Sequence, residues 1–360
     1  MPKISVIVAV YNVEPYLKRS LDCLINQTMT DIEFICIDDC STDNSLQILK
    51  EYEQKDSRFK IITSEVNGGA AIARNKGLDV ATGDYLGFID PDDTIDLNYY
   101  EELYKKAKET NTDIVKCQLY DLYSDGTKIK SSMNKWIKKN KYSFTYEWTT
   151  AIYRASIVFD NNIRFPEECT KAQDVVFLNR IMLKAKNVEC IDTVFYYYHK
   201  RENSLNASKI PIKSVKSACK AKILMAEDLN ESELFKNNSE QYAKKYSHIM
   251  NTVFFTLFQN NTIEAKEMCA KSFIELYHLT LDKNLLEKYF LYPDLIKYAK
   301  EKNLSELSTI FENLKSRDEI REKFKKTNLS FLQKIFSIKN SLEGNYKIIT
   351  IFNFKIKFLR

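Results

Sequence analysis

Along this chain, short β-branched apolar runs alternate with stretches whose apolar residues recur at helical spacing. Ile4 to Val10 is a largely β-branched run, apolar but for Ser5, that ends at Tyr11-Asn12. Tyr16, Leu17, Leu21, Leu24 and Ile25 then fall at a helical period, predicting a helix over 14–27. Ile32 to Asp38 reads as a second strand, and Ser41-Thr42-Asp43-Asn44-Ser45 supplies N-cap residues for a helix over 44–54. Further strands are expected at 59–63, 85–90 and 113–117, with helices at 70–81, after an Asn67-Gly68-Gly69 turn, and at 97–110. Strands alternating with helices of this length predict βαβ units and a mostly parallel α/β sheet. Such sheets bind ligands beyond the carboxyl ends of their strands. The chemistry is therefore expected at Tyr11-Asn12, Asp38-Asp39 and Asp90 to Asp93.

The pattern changes further on. Residues 120–204 are mixed, with a strand expected at Val194 to Tyr198. No glycine stands between Gly126 and Gly344, and from about residue 211 apolar residues recur at helical spacing, which predicts a helical appendage over 212–330. Residues 346–360 alternate apolar positions with Lys347, Lys355 and Lys357, predicting a small strand or hairpin with one basic face. No internal repeat is visible.

Composition narrows the class. The chain has 360 residues, 44% hydrophobic and 29% charged, with 22 Tyr and 21 Phe, which excludes global disorder and suits two or three domains. Residues 1–204 carry 27 basic and 31 acidic side chains, whereas 313–360 carry 12 basic against 4 acidic. That asymmetry points to two jobs in one chain. The eight cysteines include no C-x-x-C pair and are too sparse for a disulfide framework, so they are expected to be reduced thiols. The opening run reads as a strand rather than a secretory segment. No apolar stretch reaches the length of a spanning helix, Ile249 to Phe258 coming closest. The expected setting is cytoplasmic.

The sharpest chemical feature is Asp90-Pro91-Asp92-Asp93, directly after an apolar run. Carboxylates this close repel one another unless a cation or donor compensates. A hard divalent cation takes carboxylate oxygens together with phosphate oxygens and water, though acid clusters in turns are also common as solvated caps. Asp39 could accept from a base N–H or a ribose hydroxyl, or Asp39 and Ser41 could cap the next helix. Gly68-Gly69 permits close backbone approach, and Arg74 could reach a phosphate or be an ordinary surface arginine.

Taken together, Val6 to Asn12, Ile37 to Ser45, Asn67-Gly68-Gly69 with Ala73-Arg74-Asn75, and Phe88 to Asp93 resemble glycosyltransferase family 2 over roughly residues 3–205. The resemblance implies a GT-A fold, a Rossmann-like nucleotide-sugar-binding sheet, with a UDP-sugar donor and inversion at the anomeric carbon. It implies that Ala9, Tyr11, Asp39, Asn67 and Arg74 line the nucleotide-sugar pocket. Asp90-Pro91-Asp92 would be the D-x-D motif, with Asp92 on Mn2+ or Mg2+ and Asp90 on ribose or metal. The family's base usually follows a Glu. Here Gln173 stands before Asp174, so Asp174 is the expected base and Glu168 the reserve. Tyr196 to Ser204 resembles the family's aromatic-basic-Ser segment, offering His199 as a third metal ligand and Arg201 and Ser204 for the diphosphate. Cys40 replaces a frequent Gly, which matters only if the backbone there is left-handed. Trp148 borders the acceptor cleft on this reading, stacking on a sugar or packing in the core.

The expected organisation is a catalytic domain at 1–205, a helical appendage at 206–330 and a basic-aromatic tail at 331–360. The tail suits a solvated face or an anionic membrane surface, and the acidic front half disfavours nucleic acid. Family members build lipid-linked bacterial surface glycans, lipo-oligosaccharide or capsule, which implies a glycan or glycolipid acceptor and a peripheral position on the inner face of the cytoplasmic membrane. Two other readings are a non-catalytic nucleotide-sugar-binding scaffold, opposed by the intact Asp90, Asp92 and Asp174, and a nucleotidyltransferase. The latter predicts a Gly-rich loop after the first strand, where Tyr11-Asn12-Val13-Glu14 stands instead.

Overall fold

The computed structural model describes residues 2–131, 148–200, 211–233, 238–259, 262–289, 293–305 and 307, together with the backbone of three strands between 337 and 359. Five strands open the chain: β1 (Ile4–Val10), β2 (Ile32–Asp38), β3 (Phe59–Thr63), β4 (Tyr85–Phe88) and the short β5 (Thr94–Ile95). Helices α1 (Glu14–Ile25), α2 (Ser45–Lys55) and α3 (Ala70–Val80) connect the first four, and α4 (Tyr99–Thr110) follows β5. Then come β6 (Ile114–Leu122), β7 (Lys128–Lys130), β8 (Ala151–Arg154), α5 (Ala155–Asp160), α6 (Gln173–Lys184) and β9 (Val188–His199). The sheet order is β3-β2-β1-β4-β8-β6-β9-β5, with β7 paired to β6.

The half built from β3, β2, β1 and β4 is parallel, as the alternation predicts. The other half is mixed. β8 runs antiparallel to both β4 and β6, β9 is parallel to β6, and β5 is antiparallel to β9. The expected fifth strand at 113–117 therefore does not neighbour β4. Four residues of β8, three of them buried, come between them. A strand that short has no period of its own to read. Strand β4 also ends at Phe88, two residues before its expected limit, because Pro91 opens a turn in which the Asp93 N–H donates to the Asp90 carbonyl at 3.0 Å.

Two apolar layers cover the sheet. One packs α1, α2 and α4 against Val6, Val8, Phe34 and Val115, and the other packs α3, α5 and α6 against Ile7, Ile35, Phe88 and Tyr153. Glycine is required where helix and strand come closest. A Cβ on Gly77 would lie 2.6 Å from a methyl of Ile7.

The helical pattern after residue 211 is realised as α7 (Ile212–Asn230), α8 (Ser239–Gln259), α9 (Ile263–Leu279), α10 (Lys283–Tyr289) and α11 (Pro293–Lys300). Their buried apolar faces share one core, which includes Val215, Tyr246, Met250, Phe273 and Leu276. Helix α6 belongs to both cores. Its Phe177, Leu178, Ile181 and Met182 face the sheet, while Val176 and Leu183 join the helical cluster. Among the described residues no helix is long and apolar enough to cross a membrane. Strands β10 (Ser337–Asn340), β11 (Tyr346–Ile351) and β12 (Phe354–Leu359) form a separate antiparallel sheet in the tail. All eight cysteines are free thiols.

Candidate active site

The strand ends of the parallel half converge as the alternation requires, and their loops interlock. The Asn12 N–H donates to Ser41 Oγ (3.1 Å) and the Thr42 N–H to Asn12 Oδ1 (2.8 Å). The Val13 N–H donates to Ser45 Oγ and the Glu14 N–H to Asp43, at 3.1 and 3.0 Å. Of the expected caps of α2, Asp43 Oδ1 accepts the Ser45 N–H at 3.0 Å, while the Ser41 and Ser45 hydroxyls are spent on the neighbouring loop. Asn44 stands at the N-cap without a capping side-chain bond, its Nδ2 donating instead to Glu14 Oε1 at 2.7 Å, and the Ser41 to Ser45 stretch ties the β1–α1 loop to the β2–α2 loop. This lock fixes the two walls from which Ala9, Tyr11 and Asp39 are presented. Ala9 is half-buried and Tyr11 is exposed.

Asp39 caps nothing either. Its carboxylate accepts the N–H groups of Gly68 (3.1 Å) and Gly69 (2.6 Å), pulling the glycine turn against the end of β2. Gly69 has φ +86°, a left-handed conformation that glycine adopts freely. Cys40, with φ 63°, occupies the same region without that freedom, so the position does require a left-handed backbone. The neighbouring Asp38 is buried. It accepts the Ser41 N–H through Oδ2, while its Oδ1 has no partner. Asn67 is exposed at the head of the turn.

Arg74, from α3, reaches across to the acidic turn, and its Nη2 lies 3.1 Å from Asp90 Oδ1. The guanidinium rests on an aromatic floor, 4.4 Å from the Trp148 ring centroid and 5.5 Å from that of Phe165. Phe88 contacts Trp148 and Phe177 at centroid distances of 4.8 and 5.5 Å, and Phe165 stacks on Phe177 at 3.9 Å. This floor joins the strand leading into Asp90 to the helix bearing Asp174. Trp148, buried at 5% exposure, is core and platform rather than a stacking face open to solvent.

Asp174 sits in the first turn of α6. It is half-buried, and burial pushes its carboxyl above the ordinary range. The Arg74 charge opposes that shift and the Asp90 charge adds to it. Asp90, Arg74 and Asp174 therefore form one electrostatic group, drawn together from three segments. Glu168, the reserve, is exposed on the preceding loop.

Behind the acidic turn the aromatic-basic segment supplies a brace, a role its motif does not indicate. Tyr196 Oη accepts the Asp90 N–H (3.2 Å) and donates to Asp93 Oδ2 (2.8 Å), and the His199 N–H donates to Asp93 Oδ1 (3.0 Å). Burial, then repulsion from Asp90, raises the Asp93 carboxyl. Arg19, on α1, donates to the Asp92 carbonyl at 2.6 Å. The His199 ring turns to Thr94, with Nε2 at 2.9 Å from Oγ1, and burial followed by the Arg19 charge lowers its pKa to about 4. Asp90 and Asp92 are half-buried on the turn, a hard oxygen pair that fits a divalent cation completed by phosphate and water. Among the described residues no three His, Cys, Asp or Glu side chains are grouped closely enough to hold a metal, so His199 stands apart from that pair. Arg201 and Ser204 lie outside the described residues.

A sheet with a parallel half, strand-end carboxylates and an acidic turn after β4 defines the GT-A class of nucleotide-sugar-dependent transferases. Residues 5–162 match the profile of glycosyl transferase family 2. The chain is 30% identical over 331 residues to the cholesterol galactosyltransferase of Borreliella burgdorferi, covering 86% of this chain and 90% of that protein. It belongs to glycosyl transferase family 2. It is also 34% identical over 247 residues to the poly(ribitol-phosphate) beta-glucosyltransferase of Bacillus spizizenii, covering 65% of this chain and 38% of that protein. The chain spans 65%, 38% and 60% of the lengths of three curated relatives it matches. The crystal structure of Staphylococcus aureus TarS 1–349 in complex with UDP-GlcNAc superposes with a TM-score of 0.72 at 22% identity, covering 99% of both chains. That likeness establishes the GT-A fold.

Proposed function

We propose that this chain is an inverting, metal-dependent glycosyltransferase that moves a hexose or N-acetylhexosamine from a UDP-sugar to a hydroxyl of a bacterial surface glycan or glycolipid. The observation that carries the reading is the group Asp90, Arg74 and Asp174 beyond the end of β4. Relatives named for glycosyl transfer to poly(ribitol phosphate) and cholesterol, and a structural neighbour bound to UDP-GlcNAc, support the donor and acceptor classes.

In this mechanism Tyr11, Ala9, Asn67 and Asp39 receive the nucleoside. Asp38, with its unpaired buried oxygen, offers a further acceptor beside them. Asp174 takes the proton of the acceptor hydroxyl as its oxygen attacks the anomeric carbon, and the bond to UDP breaks on the opposite face. The raised affinity of Asp174 for a proton strengthens it as a base. Arg74 balances the carboxylates before the donor enters and faces the diphosphate once it is bound. Asp92 and Asp90 would hold Mn2+ or Mg2+, and His199 would join them only by leaving Thr94. The cation, when bound, supplies charge neutralisation to the departing diphosphate. Arg201 and Ser204 remain proposed diphosphate contacts. The catalytic unit is placed at 1–205, with the basic tail at 331–360 against the anionic inner face of the membrane.

The test is UDP release from a panel of UDP-sugars with glycan acceptors, in Mn2+ and in chelator, for the parent and Asp174→Asn. Release should need the cation and fall by about a hundredfold or more in the variant. An unchanged rate in Asp174→Asn would remove Asp174 from its role. No binding heat from UDP with Mn2+ would remove the donor.

A further inference from the structure

We propose that Ser217, on α7, is a positioning residue for Asp174, which makes the C-terminal helices part of the catalytic apparatus; this rests on the reading of Asp174 as the base. The segment entering α6 must fix where that helix begins, because Asp174 is its second residue. One buried hydroxyl does this. The Lys171 N–H donates to Ser217 Oγ at 2.9 Å, and Ser217 Oγ donates to the Lys171 carbonyl at 3.1 Å. Both backbone groups of one residue are thereby closed by a side chain from another region of the chain. Two residues earlier, the Cys169 thiol points to the Ser217 carbonyl at 3.9 Å.

The next residue, Ala172, is the N-cap of α6, with φ 62°. A non-glycine residue holds that left-handed conformation only where its surroundings enforce it, and Ser217 anchors its immediate neighbour. Further along, Arg180 Nε pairs with Asp228 of α7 at 3.0 Å, with both side chains mostly buried. Val176 and Leu183 enter the helical core, whereas Phe177 and Met182 pack toward the aromatic floor. Apolar packing on two sides holds the helix axis, but it leaves the first turn free to shift unless the entering loop is pinned. A displacement of about 1 Å at a reacting group costs on the order of a hundredfold in rate. The helices from Ile212 onward thereby serve the chemistry, because α7 aims the base.

The experiment compares the parent, Ser217→Ala and Asp228→Asn in the full chain by hydrogen exchange, thermal unfolding and UDP-sugar kinetics. Ser217→Ala should speed amide exchange within 171–177 and lower kcat about tenfold or more, with donor KM within about twofold and UDP affinity unchanged. Asp228→Asn, which loosens the same helix pair at its other end, should give a smaller effect of the same kind and serves if Ser217→Ala fails to fold. A merely structural serine would lower the melting temperature and the active fraction together, with kcat per active molecule intact, and that result overturns the proposal. Unchanged exchange at 171–177, or faster exchange with full kcat, also overturns it. A parent that transfers from no UDP-sugar defeats the functional reading instead, and the exchange arm alone then decides whether Ser217 pins the loop.

Discussion

The guanidinium of Arg74 lies 4.4 Å from the centroid of the Trp148 ring while its Nη2 bonds Asp90 at 3.1 Å. Cation, aromatic face and carboxylate thus fix one another, and Asp174 titrates in the field of that cation. Burial raises the Asp174 carboxyl and the Arg74 charge restrains the rise. Removing the charge in Arg74→Gln should let the pKa climb further. A base must be unprotonated, so the acid limb of the kcat profile should move to higher pH and activity at neutral pH should fall. Arg74→Lys should restore much of the limb's position but not the fork geometry, leaving kcat/KM reduced by about tenfold, or ~1.4 kcal/mol. A pH–rate series on the three proteins decides it. An acid limb that stays in place in Arg74→Gln would separate Asp174 from the titration.

Tyr196 joins the Asp90 N–H to the Asp93 carboxylate through one buried oxygen. Tyr196→Phe leaves a buried donor and a buried acceptor without that partner, which costs about 1–3 kcal/mol. Urea unfolding should show the loss as a lower midpoint with an unchanged slope. The turn holding Asp90 and Asp92 should also loosen, so donor KM should rise in the folded variant. A variant with parental stability and KM would show the brace to be idle.

The parallel half was legible because its strands are short, largely apolar runs, rich in isoleucine and valine in β1, and the motif residues fell where strand ends must lie. In the mixed half the strands at 113–117 and 194–198 were legible and fall within β6 and β9, but their pairing was not, since β8 is four residues long and β9 begins at Val188 to Thr193, without clear alternation. The trio of Asp90, Arg74 and Asp174 could be nominated by motif, but its assembly depends on an aromatic floor drawn from Phe88, Trp148, Phe165 and Phe177. Contacts of that range carry no local signal. Arg19, Tyr196 and Ser217 act through hydrogen bonds across 46 to 106 positions of sequence, which no periodicity marks. The Asp39 and Ser41 caps fail for a related reason: a carboxylate or hydroxyl at a helix start bonds whichever N–H the tertiary fold brings nearest.

Cys40 offers a test of backbone strain beside the proposed nucleotide pocket. Its φ of 63° costs a side-chain-bearing residue about 1–2 kcal/mol, which glycine avoids at some expense in unfolded-chain entropy. Its thiol makes only a long contact to the Glu65 carbonyl at 3.6 Å. Cys40→Gly should therefore raise stability by up to about 1 kcal/mol and leave UDP affinity unchanged, whereas Cys40→Val, β-branched, should lower it. Thermal melts of the three proteins read both effects.

Glu33 carries the clearest acid-sensitive contribution to the fold. It is 3% exposed on β2 and accepts from Ser5 Oγ (2.5 Å), Lys60 Nζ (2.6 Å) and both the N–H and hydroxyl of Thr82. Burial alone would raise its carboxyl, but the bonds from Lys60, Ser5 and Thr82 outweigh it and the net shift is downward. A carboxylate depressed in the folded state stabilises fully above its unfolded value, about 4.5, and loses that contribution as pH falls through the lower folded value. Glu33→Gln keeps the shape and removes the charge, leaving an amide N–H2 against donors. It should cost about 1–3 kcal/mol at pH 7, and the cost should shrink as pH falls below the unfolded value and through the lower folded one, where the parent's own carboxyl protonates. Denaturant midpoints of both proteins across that range give the answer, and a difference that does not narrow on acidification would place the stabilisation in packing instead of charge.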